Sequence, residues 1–121
     1  EPIVSLADCG AESFVCSPFI QKLGEKVYLA YHLDTVTPEP RSVKAPAPDE
    51  ISTDICAVEI DSGLQKVGEP FTVCERTLFG EENQRFADPC LIEEDGEVFL
   101  FGAIGPRLNQ RIGVAVGDWV R

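Results

Sequence analysis

The chain has 121 residues, 44% of them hydrophobic, which suits one domain with a modest core and excludes general disorder. Its formal net charge is -11, from 21 acidic and 10 basic residues, and lysine and arginine form no cluster. This balance argues against nucleic acid or an anionic membrane as a partner. No apolar run approaches the roughly 20 residues that cross a bilayer, so the sequence predicts a soluble protein.

The acidic residues are interpreted as solvating strand edges and turns. An acidic cleft for a neutral or cationic ligand is the alternative. The five cysteines form no Cys-x-x-Cys pair, and the chain has one histidine, so we predict no metal site and no cofactor. We interpret the cysteines as small buried residues in a reducing compartment, and their odd number favours the cytoplasm. A Cys9-Cys16 bridge is the alternative.

Short apolar runs separated by Gly, Pro, Asp and Asn predict β-strands, and the Asp95-Gly96 pair between two of them predicts a hairpin. No stretch keeps a helical period of 3.6 residues for more than two turns. The fold class is therefore all-β, with antiparallel four-stranded meanders. In chain order the predicted strands are 3–6, 14–21, 26–33, 53–60, 70–74, 86–93, 98–103 and 112–116.

Residues 34–52 contain four prolines, which cannot donate hydrogen bonds to a sheet. They predict a long extended loop of the kind that forms lids, binding loops or oligomerisation arms. A disordered linker is the alternative. The strands on either side look like partners in one sheet, which favours the loop.

An internal repeat is indicated by a shift of 71 residues, which lays PFIQKLGEKVYL (18–29) on PCLIEEDGEVFL (89–100). Both copies have a proline at the entrance, a polar turn and then an aromatic strand. Repetition of such units is typical of repeat architectures, and four strands per unit indicate a propeller blade. We predict one domain, 1–121, with a first unit at about 7–84 and a second at about 85–121. Residues 3–6, from the same chain or from another copy, could supply the outer strand that the second unit lacks.

SPFI followed by GEKVYLAY, ADPCLI followed by DGEVFLF, and RIGVAVGDW resemble blade motifs of five-bladed β-propeller glycosidases. That superfamily includes arabinanases, β-xylosidases and fructosidases, and the related mannoside phosphorylases are similar. The resemblance covers about residues 12–119 and implies about two blades. Two blades leave open sheet edges, so we expect the chain to associate with itself, as a homo-oligomer, or to be part of something larger.

One rim of the predicted sheets collects polar residues, because the first strand of a meander starts where the second ends. In the glycosidases that it resembles, this rim is the face that binds sugar. The residues expected near it are Ser17, Tyr31, His32, Asp34 and Asp88, with Arg85, Arg107 and Asn109 beside Asp88. The alternatives are that His32 is a partly buried strand-end residue and that the aromatic side chains belong to the core.

Glycoside hydrolysis needs two carboxyl groups, one as acid and one as base or nucleophile. Asp88 matches the Asp-Pro aspartate of the resembled families, which acts as a base or modulates the pKa of the acid. The alternative is that Asp88 only caps a turn. The glutamate that would serve as the acid is missing beside Ser17, and Glu12 or Glu82 could replace it only if its loop bends inward.

The predicted function is therefore a carbohydrate-binding or glycosidase-like propeller fragment, not catalytic as an isolated chain, whose site is completed by oligomerisation. The alternative is a non-catalytic protein-interaction or assembly module that retains the blade scaffold. Whether the chain is an enzyme stays open at this stage.

Overall fold

The computed structural model describes residues 2–5, 8, 13–36, 51–106 and 108–119. These residues form two antiparallel sheets, one of four strands in the order β1-β2-β3-β4 and one of three in the order β5-β6-β7. The all-β prediction is confirmed. The strands are β1 (Ser13–Leu23), β2 (Lys26–Val36), β3 (Ile51–Ile60), β4 (Lys66–Cys74), β5 (Phe86–Glu94), β6 (Glu97–Ile104) and β7 (Arg111–Gly117).

The proline-rich segment is shorter than predicted, because both of its ends belong to strands. Asp34 pairs with Thr53, and Val36 pairs with Ile51, so β2 and β3 are neighbours in one sheet, as expected from the sequence. The four prolines fall within residues 37–50, which lie outside the described residues, as does the predicted loop there. Residues 75–84 connect the two sheets and include a short 3-10 helix, Arg76–Phe79.

The hairpins β1-β2 and β5-β6 share the same irregularities 71 residues apart. A bulge interrupts the register between Cys16 and Phe19 in the first hairpin, and between Ala87 and Cys90 in the second. Each hairpin closes through a two-residue turn, after Leu23 and after Glu94. A β-bulge is a specific local feature, so its repetition at the same offset supports the repeat found in the sequence.

The main core lies between the two sheets. Tyr28 and Ala30 of β2 belong to one cluster of buried side chains with Val98 and Leu100 of β6. Trp119, just beyond β7, packs its ring against Tyr28, with the ring centroids 4.9 Å apart. Burial of these large apolar side chains holds the sheets face to face.

The other face of the first sheet is covered by the N-terminal segment. Ile3 and Val4 pack against Leu29, Val58 and Ile60. Residues 3–5 form bends and an irregular segment, not a strand, so the prediction of a strand there was wrong for the described part. The same segment was expected to complete the second sheet. It lies instead on the first sheet, because that is where its apolar side chains are buried.

The second sheet has three strands in the described part of the chain, and its outer face is exposed at Ile112, Val114 and Val116. A search of the described residues for helices with the length and hydropathy of a membrane span found none. Cys16, Cys56, Cys74 and Cys90 are not joined in disulfides, whereas Cys9 lies outside the described residues.

Candidate functional site

Ser17 and Asp88 occupy equivalent bulges of the two hairpins, and they face each other. Both have a left-handed backbone, with φ of 54° and 56°, and each precedes a proline. Residues other than glycine rarely adopt this conformation, and such strained residues tend to occur at functional sites. The Ser17 hydroxyl donates a hydrogen bond of 2.6 Å to Oδ1 of Asp88. The Asp88 side chain is nevertheless 58% exposed, so its carboxylate can still accept bonds from a ligand.

His32 lies on β2 opposite Cys16 and is buried beneath this pair. The backbone N–H of Asp88 donates a hydrogen bond of 3.0 Å to Nδ1 of His32. In a neutral imidazole only one nitrogen carries a proton, so Nε2 must be the N–H of this ring. Nε2 lies 3.8 Å from Oδ2 of Asp34. His32 therefore connects the two aspartates and fixes the backbone at Asp88.

Asp34, Thr53 and Arg85 form a buried polar group beside His32. The Thr53 hydroxyl donates to Oδ1 of Asp34 at 2.5 Å, and Nε of Arg85 donates to the Thr53 oxygen at 2.7 Å. The Arg85 guanidinium lies 3.4 Å from the same Asp34 oxygen. Thr53 also bridges to Arg85 through the backbone. This group joins β3 to the start of β5, so it links the two sheets directly under the rim.

Asn83 organises the loop on the far side of Arg85. Its side-chain amide donates to the carbonyl oxygens of Arg76 and Arg85, at 2.8 and 2.9 Å. Its Oδ1 accepts a bond of 2.9 Å from the N–H of Gly105. The turn that contains Asn109 is thereby held next to Arg85, because Gly105 begins that turn.

The structure brings together some of the predicted site residues and separates others. Asp88, His32, Asp34 and Arg85 meet at the rim, although the last three are largely buried. Tyr31 does not join them. Successive side chains of β2 point to opposite faces of the sheet, so Tyr31 faces away from its neighbour His32. Its side chain is buried, with 2% exposed. Its burial agrees with the alternative that the aromatic side chains belong to the core.

The structure describes one of the two replacement acids, Glu82. Glu82 is exposed in the connection before β5, and no hydrogen bond or ion pair joins it to Asp88 among the described residues. Glu12 and Arg107 lie outside the described residues. Asn109 is exposed in the turn between β6 and β7. The sequence analysis missed Thr53 and Asn83, whose roles depend on strand pairing and loop packing that no local pattern signals.

Ligand atoms of Cys16, His32 and Asp34 lie within 4.8 Å of one another, close enough to be considered as a metal site. The hydrogen-bond pattern opposes that use. A histidine that binds metal through Nε2 normally donates its other N–H, whereas Nδ1 of His32 accepts a bond from the backbone. Burial and the nearby carboxylates Asp34 and Asp88 raise the pKa of the Cys16 thiol, so it is protonated at neutral pH and is a poor ligand and nucleophile.

We expect the stability of the protein to fall as the pH drops below about 6.5. Burial lowers the pKa of His32 below its ordinary value of 6.5, and this effect exceeds the opposing attraction of Asp34 and Asp88. The unfolded chain therefore binds a proton before the folded one. Stabilisation is complete above pH 6.5 and is lost progressively below it, by about 1.4 kcal/mol per unit of pKa difference.

Urea unfolding of the unmodified protein and of His32→Gln, at about pH 7.5 and about pH 5.5, measures this effect. The carboxylates contribute to the pH dependence of both proteins. The difference between the two losses of stability therefore isolates the contribution of His32. An unmodified protein that loses no more stability than His32→Gln on acidification would contradict the assignment.

The rim can therefore present one exposed and oriented carboxylate, Asp88, supported by a hydroxyl and a buried imidazole. Asp34, the other carboxylate beside His32, is held by Arg85 and Thr53. This arrangement suits the binding of hydroxyl or amino groups by Asp88. Comparison with models of known protein families gives no match for this chain, and comparison with curated protein sequences gives none either.

Proposed function

We propose that this protein binds a carbohydrate at the rim, through Asp88, and does not cleave it as an isolated chain. The observation that carries the proposal is the Ser17-Asp88 pair. Two strained residues at equivalent positions of a repeat converge on one exposed carboxylate, and their bond of 2.6 Å sets its orientation. Such strain costs free energy and is typically kept where a residue must be held for function.

A carboxylate is well suited to sugars, because two adjacent hydroxyl groups can each donate to one of its oxygens. The resemblance to propeller glycosidases points to neutral pentose or hexose units. The same surface could not hydrolyse them by the usual route, which needs two available carboxyl groups. Asp34 is bound by Arg85 and Thr53, so it is not available as an acid or nucleophile. Among the described residues around His32 and Asp88, no second carboxyl group is available, so in this proposal another chain supplies it.

Self-association through open sheet edges is part of this proposal. β4 and β7 are edge strands of their sheets, and unpaired edges offer backbone groups to a neighbour. A second candidate function is a protein-interaction or assembly module without sugar binding. The exposed apolar side chains Ile112, Val114 and Val116 favour it.

Titration with soluble arabinan, xylan, mannan and fructan oligosaccharides, followed by calorimetry or NMR, tests the proposal. We expect one of them to bind, and Asp88→Ala to weaken its binding by at least about tenfold, because a hydrogen bond to a charged group contributes about 1.5 to 3 kcal/mol. Asp118→Ala is the matched control. Asp118 is also exposed, but it follows the end of β7 that pairs with Val98, away from the rim.

Three results would count against the proposal. Equal binding by Asp88→Ala and the unmodified protein would remove Asp88 from the site. Release of an aryl group from aryl glycosides by the isolated chain, abolished in Asp88→Asn, would show that it is catalytic. Failure of all four oligosaccharides to bind would favour the assembly module.

A further inference from the structure

The outer face of the second sheet is an apolar surface left uncovered in the described part of the chain. Val114 and Val116 are 44% and 53% exposed, and they pair across the sheet with Phe101 and Phe99. Ile92, 47% exposed, pairs with Phe99 on the other side. We call these five residues the donor face. Contiguous exposed apolar surface of this kind marks an interaction site.

The internal repeat indicates what the donor face fits. Phe99 and Phe101 are equivalent, 71 residues on, to Tyr28 and Ala30 of the first sheet. Tyr28 and Ala30 belong to the same buried cluster as Val98 and Leu100 of the second sheet, within the main core. The same type of face should therefore recognise a surface like that of Val98 and Leu100.

The equivalents of Val98 and Leu100 are Val27 and Leu29, on the outer face of the first sheet. With Val58 and Ile60 they form what we call the acceptor face. The donor face of a chain cannot reach its own acceptor face, because the core between the sheets separates the two. Within the described part of the chain, the acceptor face of a second copy is the surface of this chemistry that remains.

Charge at the turn ends of the two faces is complementary. Lys22 pairs with Val27 and Lys66 pairs with Ile60, so both lysines lie on the acceptor side near the hairpin turns. Glu94 lies two residues after Ile92, and Glu97 two residues before Phe99. The period of two along a strand places both glutamates on the donor side.

The turn end of the donor face would also meet the turn end of the acceptor face. This holds if two copies stack their sheets as the two sheets of one chain are stacked. Leu23, beside the first turn, lies in one buried cluster with Leu91 and Val98, which are close to the second turn. The same stacking between copies brings the glutamates of the donor face to the lysines of the acceptor face.

The N-terminal segment contacts the acceptor face with apolar side chains and an acidic group, as the donor face would. Ile3 and Val4 contact its apolar part, and Asp8 forms an ion pair with Lys66. The hydrogen bond from Lys66 is the main reason that the pKa of Asp8 is lowered to about 2, so the pair is charged at neutral pH. A cleft of about 550 Å³ lies between this segment and the turn before β4, beside Lys66.

We propose that the acceptor face of one copy binds the donor face of a second copy, head to tail, and that the N-terminal segment competes for the same surface. This deepens the self-association proposed above, since it assigns the contact to sheet faces instead of sheet edges. It does not require sugar binding, so either proposal can fail alone. A head-to-tail contact leaves a donor face unfilled at one end of the assembly and an acceptor face unfilled at the other. Further copies can therefore add until a ring closes, or they form an open chain.

The expected association is weak. Three strands about 4.8 Å apart and about seven residues long project onto roughly 350 Å², which is well below the roughly 800 Å² per partner of a standard stable interface. Competition by the N-terminal segment weakens it further. We therefore expect monomers at micromolar concentration and larger species as the concentration approaches millimolar.

Sedimentation velocity of the full chain over that range tests the proposal. Val114→Lys should lower the association constant by at least about tenfold, because it places a charge within the donor face, next to Phe101. Val67→Lys is the matched control, since Val67 lies on the edge strand β4 with an exposure of 45%, close to that of Val114. It should not change association through sheet faces. Asp8→Asn should strengthen association, because it weakens the competing segment.

Charge reversal distinguishes this contact from others. Lys22→Glu and Glu97→Lys should each weaken association several-fold, and the double variant should restore it. Circular dichroism checks that each variant is folded. If Val114→Lys acts but Lys22→Glu does not, the second sheets pair with each other and the head-to-tail contact is wrong. If Val67→Lys abolishes association, edge pairing is the contact. A monomer at every concentration, also in Asp8→Asn, would overturn the proposal.

Discussion

Replacing Arg85 with methionine is expected to lower the free energy of unfolding by about 3 to 5 kcal/mol at neutral pH. The side chains of Arg85 and Asp34 are 8% and 14% exposed, so water screens their interaction little. Arg85 also donates a hydrogen bond to Thr53, which is fully buried. Without the guanidinium, the Asp34 carboxylate remains in the interior with no arginine to balance its charge.

Arg76→Met is the control for this experiment. Arg76 forms an ion pair with Asp54 in which the side chains are 32% and 27% exposed. An ion pair that reaches solvent contributes about 1 kcal/mol or less. Urea unfolding of both variants should therefore separate them clearly.

The double variant Arg85→Met/Asp34→Asn should be more stable than Arg85→Met alone. It removes the unbalanced charge and keeps an acceptor for the Thr53 hydroxyl. If Arg85→Met costs no more than Arg76→Met, the buried group does not hold the two sheets together.

Replacing Gly102 with alanine is the other change with a large expected effect, about 3 kcal/mol or more. A Cβ at Gly102 would lie 2.1 Å from the ring of Phe86 and 2.7 Å from the carbonyl oxygen of Ala87. Phe86 cannot move away easily, because it is fully buried and its ring packs edge-on against Phe79 at 4.6 Å. The methyl group must therefore displace β5, which carries Asp88 two residues beyond Phe86.

Gly117→Ala is the matched control, because a Cβ there meets nothing within 4 Å. We expect it to change the stability by no more than about 0.5 kcal/mol. Thermal or urea unfolding gives both values. A small effect of Gly102→Ala would mean that β5 and β6 do not approach as closely as the structure shows. Loss of sugar binding in Gly102→Ala, but not in Gly117→Ala, would connect this packing to the rim.

Local patterns predicted the strands well, since alternation, β-branched residues and turn signals act within a few residues. The hairpins at Gly24 and Asp95-Gly96 follow from their turn residues, and the pairing of β2 with β3 was expected from the sequence. The strand predicted at 3–6 failed because its apolar residues satisfy the same pattern when they simply cover a neighbouring sheet. A run of apolar residues indicates that a segment is buried. It does not tell whether the segment is a strand of a sheet or an irregular segment that covers one.

The sequence also placed Asp88, His32, Asp34 and Arg85 near one rim, because the order of strands in a meander determines which ends meet. The sequence could not tell which of these side chains remain available to bind a ligand. Arg85 and Asp34 neutralise each other, and this depends on Thr53, which is far from both along the chain. Tyr31 is buried in β2, and from the sequence alone an aromatic residue there suits a sugar platform and a core equally well.

By itself, then, the amino-acid order determined the strands of both sheets, the 71-residue repeat and the edge at which polar side chains collect. These follow from interactions between near neighbours in the chain. Tertiary structure decided which carboxylate is exposed, which tautomer His32 adopts and which sheet face stays uncovered. Those outcomes depend on contacts between residues tens of positions apart, and the free energy of such contacts is set only when the two sheets pack together.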